Sequence, residues 1–184
     1  MNRLDRDEVR LHVPAEAGAL YDLVADVTRT PEWSPEVVSC AWLDGAVSAA
    51  AGARFTARNR RRRLTWSGRQ VVEVASRGSE FSVIRTQRGG GSIRWSYRFE
   101  PAGAGTDVVL AYRVLRPAPA GLHVVVRLLF GVRDLRAGLR ATMVTSLGRL
   151  AELARRESAA GQPGAGSGCG PGHTKPWPVI RPPS

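Results

Sequence analysis

The chain has 184 residues and a formal charge of +11, from 27 basic and 16 acidic side chains. Its length predicts one domain with room for a tail, and 43% apolar residues exclude a chain disordered throughout. The charged opening over residues 1–10 reads as no secretory signal, and residues 121–132, interrupted by His123 and Arg127, are too short to span a bilayer. Cys40 and Cys169 form no disulfide framework, so a reducing cytoplasm is the expected location.

In chain order, Val9, Leu11 and Val13 alternate with Glu8, Arg10 and His12, which predicts a half-buried strand over residues 7–13. Pro14 ends it and opens a helix over residues 15–27, with Ala17, Leu20, Tyr21 and Val24 at helical spacing. Thr30-Pro31-Glu32-Trp33 predicts a second short helix. The period then changes to two. Strands are expected over 37–43, 54–60, 64–74, 80–86, 92–100 and 106–115, joined by short Gly- or Asp-bearing turns that favour antiparallel hairpins.

Beyond Arg116-Pro117-Ala118-Pro119 a helical pattern runs to about residue 156, with Leu135, Leu139, Met143, Leu147, Leu150 and Leu153 forming one apolar stripe. A curved antiparallel sheet covered by one long C-terminal helix follows, an α+β architecture over residues 1–157. Residues 158–184 hold six Gly and six Pro and read as a disordered tail.

All basic residues but Lys175 are Arg, and seven of them (54, 58, 60, 61, 62, 63 and 69) fall in a stretch without an acid. The remainder is close to neutral. Arg60, Arg61, Arg62 and Arg63 fall between two strands and are expected at a hairpin tip, where they could dock on an anionic surface. Without interleaved aromatics they offer no base-stacking platform, which disfavours nucleic acid. HExxH, CxxC, GxSxG and Walker loops are absent, and the three His are scattered, so neither metal nor cofactor is expected.

The order of elements resembles the helix-grip fold of the SRPBCC superfamily, which includes START-like lipid-transfer proteins and polyketide cyclases. Asp26-Val27-Thr28-Arg29-Thr30-Pro31-Glu32-Trp33-Ser34-Pro35-Glu36-Val37 is similar to the family's link between the short helices and the second strand. Arg94-Trp95-Ser96-Tyr97-Arg98-Phe99-Glu100-Pro101, followed by Gly105-Thr106, is similar to its penultimate strand and turn. The resemblance covers residues 7–157 and is greatest to the polyketide cyclase/dehydrase and lipid transport branch. It implies a cavity between sheet and last helix that takes a hydrophobic small molecule, a lipid or polyketide-like compound. The walls expected from it are Trp66, Val72, Phe81, Val83, Trp95, Tyr97 and Phe99 with Leu139 and Met143, and Trp33 near the mouth.

Asp26 and Glu32 flank the expected entrance, where capping and solvation of helix ends suit them better than chemistry. Only one of Tyr112 and Arg113 can face inward, and Arg113 is the choice here, as a cavity cation. Tyr97 and Arg113 are then the candidate catalytic pair, able to polarise a ketone and stabilise an oxyanion. Carriage of a hydrophobic ligand, with transient contact to an anionic membrane, is the first reading. Polyketide cyclisation or dehydration is the rival, and a ligand-sensing module the third. Oligomeric state is not legible.

Overall fold

The computed structural model describes residues 5–86, 91–117 and 135–160. Its strands are β1 (Arg6–Val13), β2 (Val37–Trp42), β3 (Arg54–Arg61), β4 (Leu64–Ser76), β5 (Glu80–Thr86), β6 (Ser92–Ala102) and β7 (Gly105–Arg116). Between β1 and β2 lie α1 (Ala17–Ala25), a 3₁₀ turn (Val27–Arg29) and α2 (Thr30–Trp33), and α3 (Leu135–Ala160) follows β7. The period-two reading thus locates every strand, and α3 runs past the boundary expected at 157. The Gly-rich turn at Gly89 and Gly90, the start of the expected last helix before residue 135 and the Gly/Pro-rich tail beyond 160 lie outside the described residues.

All neighbouring strands pair antiparallel, in the order β1-β7-β6-β5-β4-β3-β2. From β2 to β7 this is a meander, to which β1 adds at the far edge. The sheet curls around α3, giving the helix-grip arrangement. A bulge between Val72 and Val74 in β4 supports the curl by adding local bend and twist.

Alternation sets the inner face: Val9, Leu11 and Val13 on β1, Val108, Leu110 and Tyr112 on β7, Trp95, Tyr97 and Phe99 on β6, Phe81 and Val83 on β5. One end of the grip is solid core. There Tyr21 of α1 meets Phe81 and Phe99 edge-on at 6.3 and 6.0 Å, and Leu147 and Leu150 of α3 are fully buried with Leu20 and Val13. The corner where β1 turns into α1 is fastened by the Thr106 hydroxyl, which donates to the Ala15 carbonyl at 2.8 Å. Beside it Gly105 is packed so closely that a Cβ would fall on the Val13 carbonyl oxygen. This close approach gives a physical reason for the Gly-Thr pair.

Candidate functional site

The other end of the grip is hollow. In α3 the core is filled from Leu147 onward by Leu147, Leu150, Ala151 and Ala154. Toward its N-terminus the same face presents Leu139, Thr142, Met143 and Ser146 to a cavity of about 150 Å³. Val83, Trp95, Tyr97 and Leu110 wall it from the sheet, Phe55, Ala57, Asn59 and Gln70 from β3 and β4, and Trp33, Glu36 and Cys40 from α2 and β2. A dry cavity of roughly this volume has room for a benzene-sized group.

The lining is mostly apolar, with a few polar side chains among which Arg85 is the cation and Glu36 the anion. The Trp33 ring stands edge-on to Tyr97 at 5.6 Å, and its buried Nε1 has no hydrogen-bond partner. Burial raises the Tyr97 phenol above its ordinary value of 10.0, so the hydroxyl stays protonated at neutral pH. Burial likewise pushes the Cys40 thiol up to about 11, against the smaller effect of its bond with Thr30, and leaves it an unreactive wall residue.

Arg85 is the cation of the cavity. It follows Phe81 and Val83 by strict alternation on β5 and stands between Gln70 of β4 and Ile93 of β6. Desolvation lowers its pKa, opposed by attraction to the Glu36 carboxylate. The guanidinium nonetheless has no carboxylate within ion-pair distance and no hydrogen bond among the described residues. Glu36 is held instead at the rim, 3.4 Å from Arg61 of β3 and 3.5 Å from the Thr142 hydroxyl of α3.

The structure brings Trp33, Phe81, Val83, Trp95, Tyr97, Leu139 and Met143 together around this space. Trp33, at 4% exposure, is an inner wall rather than a residue of the mouth. Phe99 and Val72 lie in the core, and Trp66 sits opposite Asn59, outside the lining. Arg113 requires correction: it is exposed on the outer face, whereas Tyr112 is 2% exposed and packs 5.5 Å from Trp95 on the inner face. Both faces of β7 are apolar, because Val109 is covered between Arg10 and Arg98 on the outside. Alternation alone therefore leaves its phase open. Arg85 is legible by the same alternation, two residues beyond Val83. Asp26 caps the 3₁₀ turn through Thr28, and Glu32 pairs with Arg29, as helix ends require.

Arg60–Arg63 do form a hairpin tip: Arg61 pairs with Leu64, and Arg62 takes φ 54° in the turn. Arg61 is drawn to Glu36, while Arg60, Arg62 and Arg63 make no ion pair among the described residues. The described residues hold no group of three His, Cys, Asp or Glu able to bind a metal, and no described helix is long and apolar enough to cross a membrane.

A family model described as polyketide cyclase / dehydrase and lipid transport matches residues 7–155. No curated protein matches the sequence. Among solved structures, the aromatase/cyclase ZhuI of Streptomyces sp. R1128 is 19% identical with a TM-score of 0.62, over 85% of this chain and 97% of its own. The protein TTHA0849 from Thermus thermophilus is 18% identical with a TM-score of 0.63, over 85% of this chain and 99% of its own. The di-domain aromatase/cyclase StfQ of the steffimycin biosynthetic pathway is 15% identical with a TM-score of 0.67, over 84% of this chain and 51% of its own. At these identities the structural likeness concerns the fold.

Proposed function

The chain belongs to the polyketide cyclase / dehydrase and lipid transport family, and from that premise we propose that its cavity carries a ring-bearing hydrophobic small molecule whose anionic or carbonyl oxygen lies against Arg85. The observation that carries this reading is a half-buried guanidinium in a mostly apolar wall, with no ion pair or hydrogen bond among the described residues. Burying a cation without a partner costs several kcal/mol, and an anionic oxygen brought in by a ligand offsets that cost. The Tyr97 hydroxyl, protonated and on the same lining, is a further donor for a ligand oxygen.

Calorimetric titration with naphthoate and with naphthylmethanol tests the proposal. Naphthoate should bind more tightly, and Arg85→Met should weaken it at least about tenfold while leaving the neutral analogue unchanged. Absence of binding by both compounds, or equal loss for both, would remove Arg85 as the recognition group.

A second reading is favoured by the aromatase/cyclases among the structural neighbours. Arg85 and the protonated Tyr97 hydroxyl would polarise a ketone and stabilise the alkoxide that forms on its oxygen as an enolate carbon of the same chain attacks and the ring closes. Arg85 here takes the role expected of Arg113.

A further inference from the structure

The acids of the sheet are consumed by specific partners. Asp107 and Glu100 engage Arg10, Glu73 and Glu80 engage Arg94, Asp7 engages Arg140, and Asp44 engages Arg54. The β3–β4 hairpin is not neutralised in this way, and it holds more unpaired Arg among the described residues than the Arg6, Arg113 and Arg116 end of β1 and β7. On the outer face of β3 and β4, Arg58, Arg60 and Arg69 are exposed and unpaired among the described residues, and Arg62 and Arg63 at the tip are the same. The register places Arg58 opposite Ser67, Arg60 opposite Thr65 and Arg69 opposite Thr56, so toward the tip the face holds Arg, Ser and Thr, with Val71 exposed opposite Arg54 at its far end. Strand spacing confines the five charges to a strip about 20 Å long, with neighbouring guanidiniums within a Debye length of about 8 Å of one another. The acids at its margins, Asp44 and Glu36, are already taken by Arg54 and Arg61.

The strip is carried by the same strand that walls the cavity, and Arg61, within its sequence, meets Glu36 of the lining. Asn59 and Ala57, which alternate with Arg58 and Arg60 on β3, line the cavity from the inner face, as does Glu36 next to Arg61. Val38, at a bulge in the neighbouring edge strand β2, is 42% exposed beside the same face. On one strand, Arg that are unpaired among the described residues thus back residues that line the cavity.

We propose that this hairpin docks the protein on an anionic phospholipid bilayer, setting the strand that walls the cavity at the interface from which an apolar ligand enters or leaves. The partner follows from the chemistry of the face. Its polyanionic complement lies in a plane, its Arg/Ser/Thr surface has no aromatic ring on which a nucleic acid base could stack, and a bilayer both bears the charge and stores apolar solutes. The role in ligand exchange rests on the proposed carrier function, whereas the docking itself does not.

Cosedimentation with vesicles tests the docking, comparing pure phosphatidylcholine with phosphatidylcholine mixed with phosphatidylglycerol. The protein should bind only the anionic vesicles and be released by high salt. The variant R58S/R60S/R62N/R63S should lose about a thousandfold in partitioning, while the all-Lys replacement of the same four residues retains most of it. Calorimetric binding of naphthoate in solution should be the same for all three proteins, which separates docking from occupancy of the cavity. Unchanged vesicle binding by the Ser/Asn variant would overturn the proposal. So would binding to a DNA duplex at physiological salt without binding to anionic vesicles.

Discussion

Arg85 is the side chain at which the proposed recognition should carry a cost in stability. Its guanidinium lies in an apolar wall, loses hydration and gains no ion pair among the described residues. Replacement by Met, similar in length and uncharged, should raise the unfolding free energy by about 1 kcal/mol, read as an upward shift of about 2–4 °C in thermal melting. The same variant should fail to discriminate naphthoate from the neutral analogue. A loss of stability would instead show that Arg85 is held by contacts worth more than its desolvation. Sequence periodicity points to this residue, because Phe81, Val83 and Arg85 share one parity. A reading of β5 that stops at its apolar members misses it. Arg113 is misplaced by the opposite difficulty: with Val108, Val109, Leu110 and Ala111 all apolar, β7 carries no contrast from which to take a phase.

At the scale of elements, the strands are legible because nearly every one alternates and nearly every turn has a Gly or Asp. The long helix is legible from its stripe, yet the stripe does not say that its two halves do different work. Leu147 and Leu150 fill the core, whereas Leu139 and the buried Met143 also line the cavity. That difference is set by how far α3 stands from the curled sheet, a distance no periodicity encodes. The corner at Gly105 belongs to the same scale. Gly105→Ala places a methyl group against the backbone of Val13 and Pro14, which cannot rotate aside. A loss of about 2 kcal/mol is expected in denaturant unfolding, with the slope unchanged. A neutral outcome would mean that the corner between β1 and α1 can open without cost.

For the molecule as a whole, α2 is tied to the end of α3 by Arg29, which donates from Nε and Nη2 to Glu32 and from Nη2 to Glu157. The bond from Arg29 holds the Glu32 carboxyl below its ordinary value of 4.5. A carboxyl depressed in the folded state contributes stability above its unfolded pKa and loses it as pH falls through the folded value. Arg29→Ala should therefore cost about 1 kcal/mol near neutral pH, the scale of an exposed bidentate pair. The gap to the wild type should close below about pH 4. A gap that persists in acid would assign the cost to packing of the Arg29 stem.

The place of β1 in the sheet has a consequence for how the chain acquires its structure. β2 to β7 pair with strands next to them in sequence, so each hairpin can close as soon as its second strand exists. β1 is different: Arg6 pairs with Arg113 and Val13 with Thr106. During synthesis at about 5–20 residues per second, β1 waits on the order of 5–20 s for a partner. Throughout that interval Val9, Leu11 and Val13 form an apolar strand with no mate. Its completion is the contact of highest sequence separation in the sheet, and this step is expected to limit the folding rate. The charges that alternate with those apolar residues, Glu8, Arg10 and His12, keep the waiting strand from pairing with copies of itself.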